Sequence, residues 1–180
     1  MELLRTERLI LREWEEADAE PLIYITSKEH IAYWLPEWGA CMEWALPWIQ
    51  GTVKEGYRIN NPMEHFMTWA IVLHESNKLI GMINIGSDEY ENQEVGIGYF
   101  LDMDYIDRGY MTEALTAFCD YIFETYKCNH IAAMVQPENA ASIAVIQKTG
   151  FNYYHDIISE SGGMAERVTQ KLFRLPNFAK

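Results

Sequence analysis

The chain has 180 residues, 49% apolar and 23% charged, with 14 Lys and Arg against 27 Asp and Glu for a net charge of −13. This composition excludes a disordered or fibrous protein, and no apolar run nears the roughly 20 residues of a membrane span. With no basic stripe, nucleic acid is not an expected partner, whereas the acidity would either steer a cationic substrate or serve solubility alone.

A chain of this length fits one domain, expected over 1–180, that buries about 70% of its unfolded surface. Its opening, Met1-Glu2-Leu3-Leu4-Arg5-Thr6-Glu7-Arg8, is too charged for a secretion signal. Cys41, Cys119 and Cys128 are odd in number and form no C-x-x-C pair. Buried free thiols and a cytoplasmic location are therefore expected.

In chain order, Arg8–Arg12 reads as a first strand and Asp18–Ile25 as a helix whose positive end is favoured by Glu15 and Glu16. Arg12 and Asp18 read as a structural ion pair. An aromatic tract follows, with Tyr33, Trp34, Trp38, Trp44, Trp48 and Tyr57. Within it Glu43–Tyr57 reads as helical, Pro47 lying in the first turns or bending the helix. Met67–Leu73 and Lys78–Gly86 form a hairpin across Glu75-Ser76-Asn77, and Ser87–Gln93, polar and without period, is expected as a loop. Glu94–Leu101 alternates as a strand. Thr112–Tyr126 is a helix, with Leu115, Phe118, Cys119 and Ile122 at i, i+3, i+4 and i+7. His130–Gln136 is a strand, and Asn139–Thr149 a helix that Gly150 closes. Phe151–Ser159 and Glu166–Leu175 pair across Ser161-Gly162-Gly163. The order β-α-α-β-β-β-α-β-α-β-β, with no repeat or linker, is that of one mixed α/β domain.

Two segments carry the chemistry. On Glu94–Leu101 the period of two puts Val95, Ile97, Tyr99 and Leu101 on one face and Glu94, Gly96, Gly98 and Phe100 on the other. Gly96 and Gly98 leave adjacent positions bare, which suits the approach of a ligand, a packed helix or a bulge. Asp107–Thr112 then joins a Gly-containing turn to a helix start, where backbone N–H groups can hold a pyrophosphate and Arg108 adds charge; an ordinary turn is the plainer account. Asn139 suits an N-cap, and Ser142 shares its side of the helix. His30, His65, His74, His130 and His155 show no metal-ligand spacing.

Together these segments resemble the GNAT acetyltransferase superfamily, in particular its ribosomal-protein N-terminal acetyltransferase branch. The resemblance runs from Thr6-Glu7-Arg8-Leu9-Ile10-Leu11-Arg12 through Leu79-Ile80-Gly81 and Ile97-Gly98-Tyr99-Phe100-Leu101. It continues in Arg108-Gly109-Tyr110-Met111-Thr112-Glu113-Ala114, Pro137-Glu138-Asn139-Ala140-Ala141-Ser142 and Lys148-Thr149-Gly150-Phe151. It implies a mostly antiparallel twisted sheet of about seven strands flanked by helices, its two central strands parallel and splayed. The implied reaction moves an acetyl group from acetyl-coenzyme A to a primary amine, either a protein N-terminus or a small cationic amine, in a monomer or homodimer.

By the same resemblance, the backbone of Phe100 and Leu101 would pair with the pantetheine arm as an added strand. Asp107, Arg108, Gly109, Tyr110, Met111 and Thr112 would cradle the pyrophosphate. Asn139 would bond the pantetheine amides, Ser142 would stand beside the sulfur and Lys148 would reach the nucleotide end. On the acceptor side the expected contacts are Trp34 and Asn84, the other tryptophans being core or wall. Many relatives carry Glu where this chain has Gly96, so Glu94 is the substitute base or a solvated carboxylate, with Tyr105 and Glu160 weaker candidates. Met111 and Asp107 also depart from the family pattern, the first as a possible crowding of the cofactor and the second as a possible repulsion. These departures keep a second hypothesis open, an acyl-coenzyme A-binding sensor or interaction module without catalysis.

Overall fold

The computed structural model describes residues 2–39, 41–88, 94–160 and 167–177, with the side chains of Glu2, Cys41, Met42, Asp88, Glu94, Ser159, Glu160 and Arg167 excepted. Among the described residues eight strands form one sheet: β1 (Glu2–Arg5), β2 (Leu9–Arg12), β3 (Met67–Leu73), β4 (Leu79–Asp88), β5 (Glu94–Leu101), β6 (His130–Val135), β7 (Asn152–Glu160) and β8 (Arg167–Pro176). Their order is β1-β2-β3-β4-β5-β6-β8-β7. Every neighbouring pair is antiparallel except β5 and β6, which run parallel.

The expected seven strands become eight because Glu2–Arg5 adds an outer strand, bulged where it meets β2. Its four residues alternate too briefly to be read as a strand without a partner. Ser87 and Asp88, expected in a loop, extend β4 instead. The rest of that loop, residues 89–93, and the expected turn Ser161-Gly162-Gly163 lie outside the described residues.

Helices cover both faces. On one lie α1 (Ala19–Thr26), α2 (Glu29–Trp34), α3 (Cys41–Trp48) and α4 (Lys54–Ile59). They close a core of Trp14, Leu22, Ile25, Ile31, Ala45 and Ile49 over Ala70, Val72, Met82 and Phe100. The other face carries α5 (Tyr110–Tyr126) and α6 (Ala140–Lys148), which bury Leu115, Phe118, Cys119, Ile122 and Ile146 against Ile71, Ile83, Ile97, Ile131 and Phe173. The 3.6-residue stripe expected in α5 is thus its buried face. Cys119 is buried and Cys128, just past the helix, only half-buried; neither forms a disulfide.

The expected helix over 43–57 runs from α3 to α4 through a π-helical turn at Ile49–Val53. Pro47, inside α3, has no N–H to donate and crowds the preceding turn, and widening of the helix just beyond it accommodates both effects. Arg12 and Asp18 form the expected pair, buried and bidentate at 2.7 and 2.8 Å. No helix among the described residues is long and apolar enough to cross a membrane.

Candidate functional site

The site begins where the parallel pair opens. β5 and β6 share only two register positions, Val95↔Ile131 and Gly96↔Ala132. Beyond them β5 stays on β4 as far as Leu101, while β6 follows β8. The strands therefore diverge along Ile97–Leu101.

The ladder fixes which backbone groups face that opening. Asp102 N–H donates to Ile80 O at 2.7 Å, and the β4–β5 register is continuous from Gly81↔Leu101 to Asp88↔Glu94. Antiparallel pairing alternates, so Phe100 and Gly98 direct their backbone groups to β4, and Ile97, Tyr99 and Leu101 direct theirs toward the opening. Of the expected pair Phe100 and Leu101, only Leu101 is turned to receive an added strand, with Tyr99 two residues before it. The ring of Phe100 packs in the opposite core, 5.2 Å from that of Trp38.

At the top of β5 the chain turns into α5. Asp107 (φ 59°) and Gly109 (φ 77°) both adopt the left-handed conformation, and Gly109 is the N-cap with no side chain capping the helix. Two left-handed residues, one on each side of Arg108, precede a helix of 17 residues whose first backbone N–H groups no side chain caps, and such a helix start can receive an anion. Arg108 is exposed beside them, its guanidinium 5.6 Å from the Tyr105 ring. The side chain of Asp107 is exposed too. Met111 is 5% exposed and belongs to the core, so its side chain packs inward while its backbone forms part of the helix start. Tyr110 and Thr112 are half-buried.

This turn is braced from the far end of the sequence. Arg8 donates through Nε to Glu113 Oε2 at 2.6 Å and through Nη1 to Arg108 O at 2.9 Å. Its guanidinium lies 4.5 Å from the centre of the Tyr110 ring. Thr6 Oγ1 and the Arg8 N–H donate to Glu113 Oε1. Burial raises the Glu113 pKa, but the hydrogen bonds from Thr6 and Arg8 outweigh it and the net shift is downward.

Across the opening stands α6. Asn139 is its N-cap, accepting from the Ser142 N–H at 3.0 Å, which leaves the Asn139 amide N–H₂ available to a ligand. Ser142 Oγ lies 2.9 Å from the hydroxyl of Tyr99, bridging α6 and β5. Tyr99 went unremarked among the aliphatic positions of its face; the available signal was that an enclosed tyrosine hydroxyl seeks a partner. Lys148 is exposed in the last turn of α6, about 13 Å along the axis from Asn139.

The other face of the opening is floored by small residues. Gly96 pairs with Gly86 and with Ala132, and Gly98 pairs with Asn84. A Cβ on Gly98 would stand 3.0 Å from both amide atoms of Asn84, so glycine there makes room for that side chain. Trp34, half-buried at the end of α2, meets the ring of exposed Tyr33 edge-on at 4.7 Å. Trp38, Trp44 and Trp48, half-buried, meet edge-on at 5.2–5.9 Å and pack against the core beneath α1–α4. Glu94 opens β5, and its side chain lies outside the described residues, as does that of Glu160. Tyr105 sits in the turn after β5 with Lys78 5.0 Å from its ring. His30, considered in the sequence only as a metal ligand, donates from Nε2 to Leu101 O at 2.9 Å. Among the described residues no three His, Cys, Asp or Glu side chains come together as a metal-binding group.

Known proteins resemble this chain in sequence and in fold. A family model described as an acetyltransferase (GNAT) domain matches residues 8–152. Uncharacterized N-acetyltransferase p20 of Bacillus licheniformis is 30% identical over 155 residues, 84% of this chain and 83% of the relative. Uncharacterized N-acetyltransferase YnaD of Bacillus subtilis is 28% identical over 151 residues, 82% of this chain and 81% of that one. Among solved structures, the RimL ribosomal L7/L12 alpha-N-protein acetyltransferase in complex with coenzyme A shares the fold, with a TM-score of 0.81 at 18% identity and full coverage of both chains. The ribosomal-protein-S5-alanine acetyltransferase of Vibrio fischeri shares it with a TM-score of 0.78 at 20% identity, over 97% of this chain and 96% of that one.

Proposed function

The chain belongs to the GNAT acetyltransferase family, and we propose that it transfers an acetyl group from acetyl-coenzyme A to a primary amine by direct attack, as one domain over 1–180. The observation that carries this reading is the opening between β5 and β6, with the uncapped left-handed start of α5 on one side and Asn139 with Ser142 on the other. Acetyl-coenzyme A would supply the activated thioester.

The N–H groups of 109–112 would hold its pyrophosphate with Arg108 beside them. The backbone of Leu101 and Tyr99 would pair with the pantetheine, the Asn139 amide would donate to it, and Lys148 would face the nucleotide end. A backbone N–H of β5 turned to the opening would stabilise the oxyanion as the amine attacks. Ser142 would hydrogen-bond the departing sulfur. Glu94 is the proposed base, acting through water.

On the floor of small residues, the amide of Asn84 would orient the acceptor, with Trp34 at its margin. The net charge of −13 favours an amine that arrives as a cation. The names of the structural relatives put protein N-termini, ribosomal ones among them, first in order of trial.

The test is release of free coenzyme A when acetyl-coenzyme A meets a panel of N-terminal peptides, polyamines and aminoglycosides. Turnover with at least one is expected. Silence across the panel, with acetyl-coenzyme A raising the Tm, would favour instead the sensor that Gly96 at the usual Glu position suggests.

A further inference from the structure

Ser142 is held from two directions. Asn139 fixes its backbone N–H at 3.0 Å, and the Tyr99 hydroxyl contacts its side chain at 2.9 Å and its carbonyl at 3.2 Å. Asn139 and Ser142 come from one helix start, but Tyr99 comes from the opposite wall of the opening. The tyrosine side chain thus spans the gap from β5 to α6, packed on the core formed by Ile97, Leu115 and Cys119.

A serine early in a helix tends to turn its hydroxyl back onto the carbonyls of the preceding turn. A hydroxyl spent in that way offers its proton to nothing in the cleft. Tyr99 has one proton and, at Ser142, two acceptors. The carbonyl already serves the following turn of α6 and lies farther away, so Oγ is the better acceptor.

We propose that Tyr99 is a positioning residue for Ser142, donating to its Oγ so that the serine's own proton is directed at the sulfur of coenzyme A. This rests on the acyl-transfer reading above. As the amine nitrogen bonds to the acyl carbon, the carbon–sulfur bond breaks and sulfur keeps the electron pair. The amine's proton passes to water, and the thiolate receives a hydrogen bond from Ser142, itself polarised by the one from Tyr99. Tyr99 stays protonated in this role. Burial pushes its pKa up to about 12, the hydrogen bond with Ser142 acting in the opposite direction. The neighbouring Cys119 thiol is likewise held neutral by burial.

The experiment follows the thiol of bound coenzyme A by its pH-dependent alkylation or thiolate absorbance, which needs no acceptor. A donor aimed at sulfur lowers the thiol pKa. Tyr99→Phe, which keeps the ring, is expected to raise it by about half a unit and to lower kcat about fivefold with KM for acetyl-coenzyme A unchanged. Ser142→Ala is expected to do at least as much, and the double variant no more than Ser142→Ala. Independent, additive effects would overturn the proposal, as would a Tyr99→Phe protein with a normal thiol profile. Ser142→Ala tests the same link without touching the core: an unmoved thiol pKa there excludes the pair from the sulfur. Failure of the unsubstituted protein to bind coenzyme A would remove the acyl-transfer reading itself, whereas binding without any effect of either hydroxyl would remove this inference alone.

Discussion

Arg8 and Glu113, 105 residues apart in sequence, are joined by two hydrogen bonds: the Arg8 N–H to Oε1 at 2.9 Å and Nε to Oε2 at 2.6 Å. The contact ties the entry to β2 to the first turn of α5. A carboxylate at a helix N-terminus would ordinarily occupy the field that a phosphate needs. Here Glu113 is turned back onto Arg8 and Thr6, so the uncapped N–H groups at Gly109 remain open and the arginine also grips Arg108 O.

Breaking the link should loosen the loop before it unfolds the protein. Arg8→Ala is expected to weaken acetyl-coenzyme A binding about tenfold and to cost about 1 kcal/mol in urea denaturation. Equal loss of cofactor affinity in a variant of a remote surface arginine, such as Arg58→Ala, would show the effect to be general charge rather than bracing.

The same carboxylate sets an acid limit. Since the Glu113 pKa is lowered in the folded state, its stabilisation is fully present above the ordinary Glu value of about 4.3 and is lost as pH falls through the lower native value. Glu113→Gln should therefore be less stable than the unsubstituted protein at neutral pH, and the gap should narrow on acidification below about 4.3. A gap that stays constant with pH would mean that the charge of Glu113 contributes nothing.

Arg12 and Asp18 should behave differently, because they are buried. Asp18 also accepts from the Glu15 N–H at 2.8 Å, in the cap that starts the turn before α1. Asp18→Ala leaves a buried guanidinium without its bidentate partner and is expected to cost about 3–5 kcal/mol. The observable is the urea midpoint, with acetyl-coenzyme A affinity of the folded fraction unchanged. A loss below about 1 kcal/mol would place the pair among weak surface contacts.

What was legible in the sequence was what local physics decides. The stripe of α5, the cap at Asn139 and the left-handed Gly150 (φ 89°) each follow from spacing or from one residue's backbone preference. The six-residue α2 was missed because a helix so short owes its stability to packing and not to propensity. The π turn after Pro47 was legible as a disturbance but not as a geometry. In the site, the glycines and the helix starts could be read one segment at a time. The Tyr99–Ser142 and Arg8–Glu113 contacts could not, because each depends on where two distant segments meet once the sheet has formed.

Gly109 tests the proposed phosphate role of the turn before α5 through its backbone alone. Its φ of 77° disfavours any side chain, while the nearest atom to an added Cβ, Arg8 Nη2 at 3.5 Å, is at ordinary contact distance. Gly109→Ala should thus cost about 1–2 kcal/mol from conformation and not from collision. If the turn is a phosphate cradle, acetyl-coenzyme A affinity should fall by more than the stability loss explains. Unchanged affinity, measured by calorimetry on the folded protein, would separate the turn from the cofactor.

Asn84 tests the acceptor side. Its amide is half-buried against Gly98, on the face opposite Tyr99 and Ser142. A side chain on that face can meet the amine without meeting the pantetheine. Asn84→Ala should raise the acceptor KM about fivefold to tenfold, the worth of one hydrogen bond of about 1 kcal/mol, and leave the acetyl-coenzyme A Kd unchanged. Gly98→Ala probes the same spot by a different cause. An added Cβ 3.0 Å from the Asn84 amide forces that side chain aside, so its effect should match Asn84→Ala in direction and disappear in the double variant. Should both substitutions instead weaken acetyl-coenzyme A and spare the acceptor KM, the assignment of the two faces would be reversed.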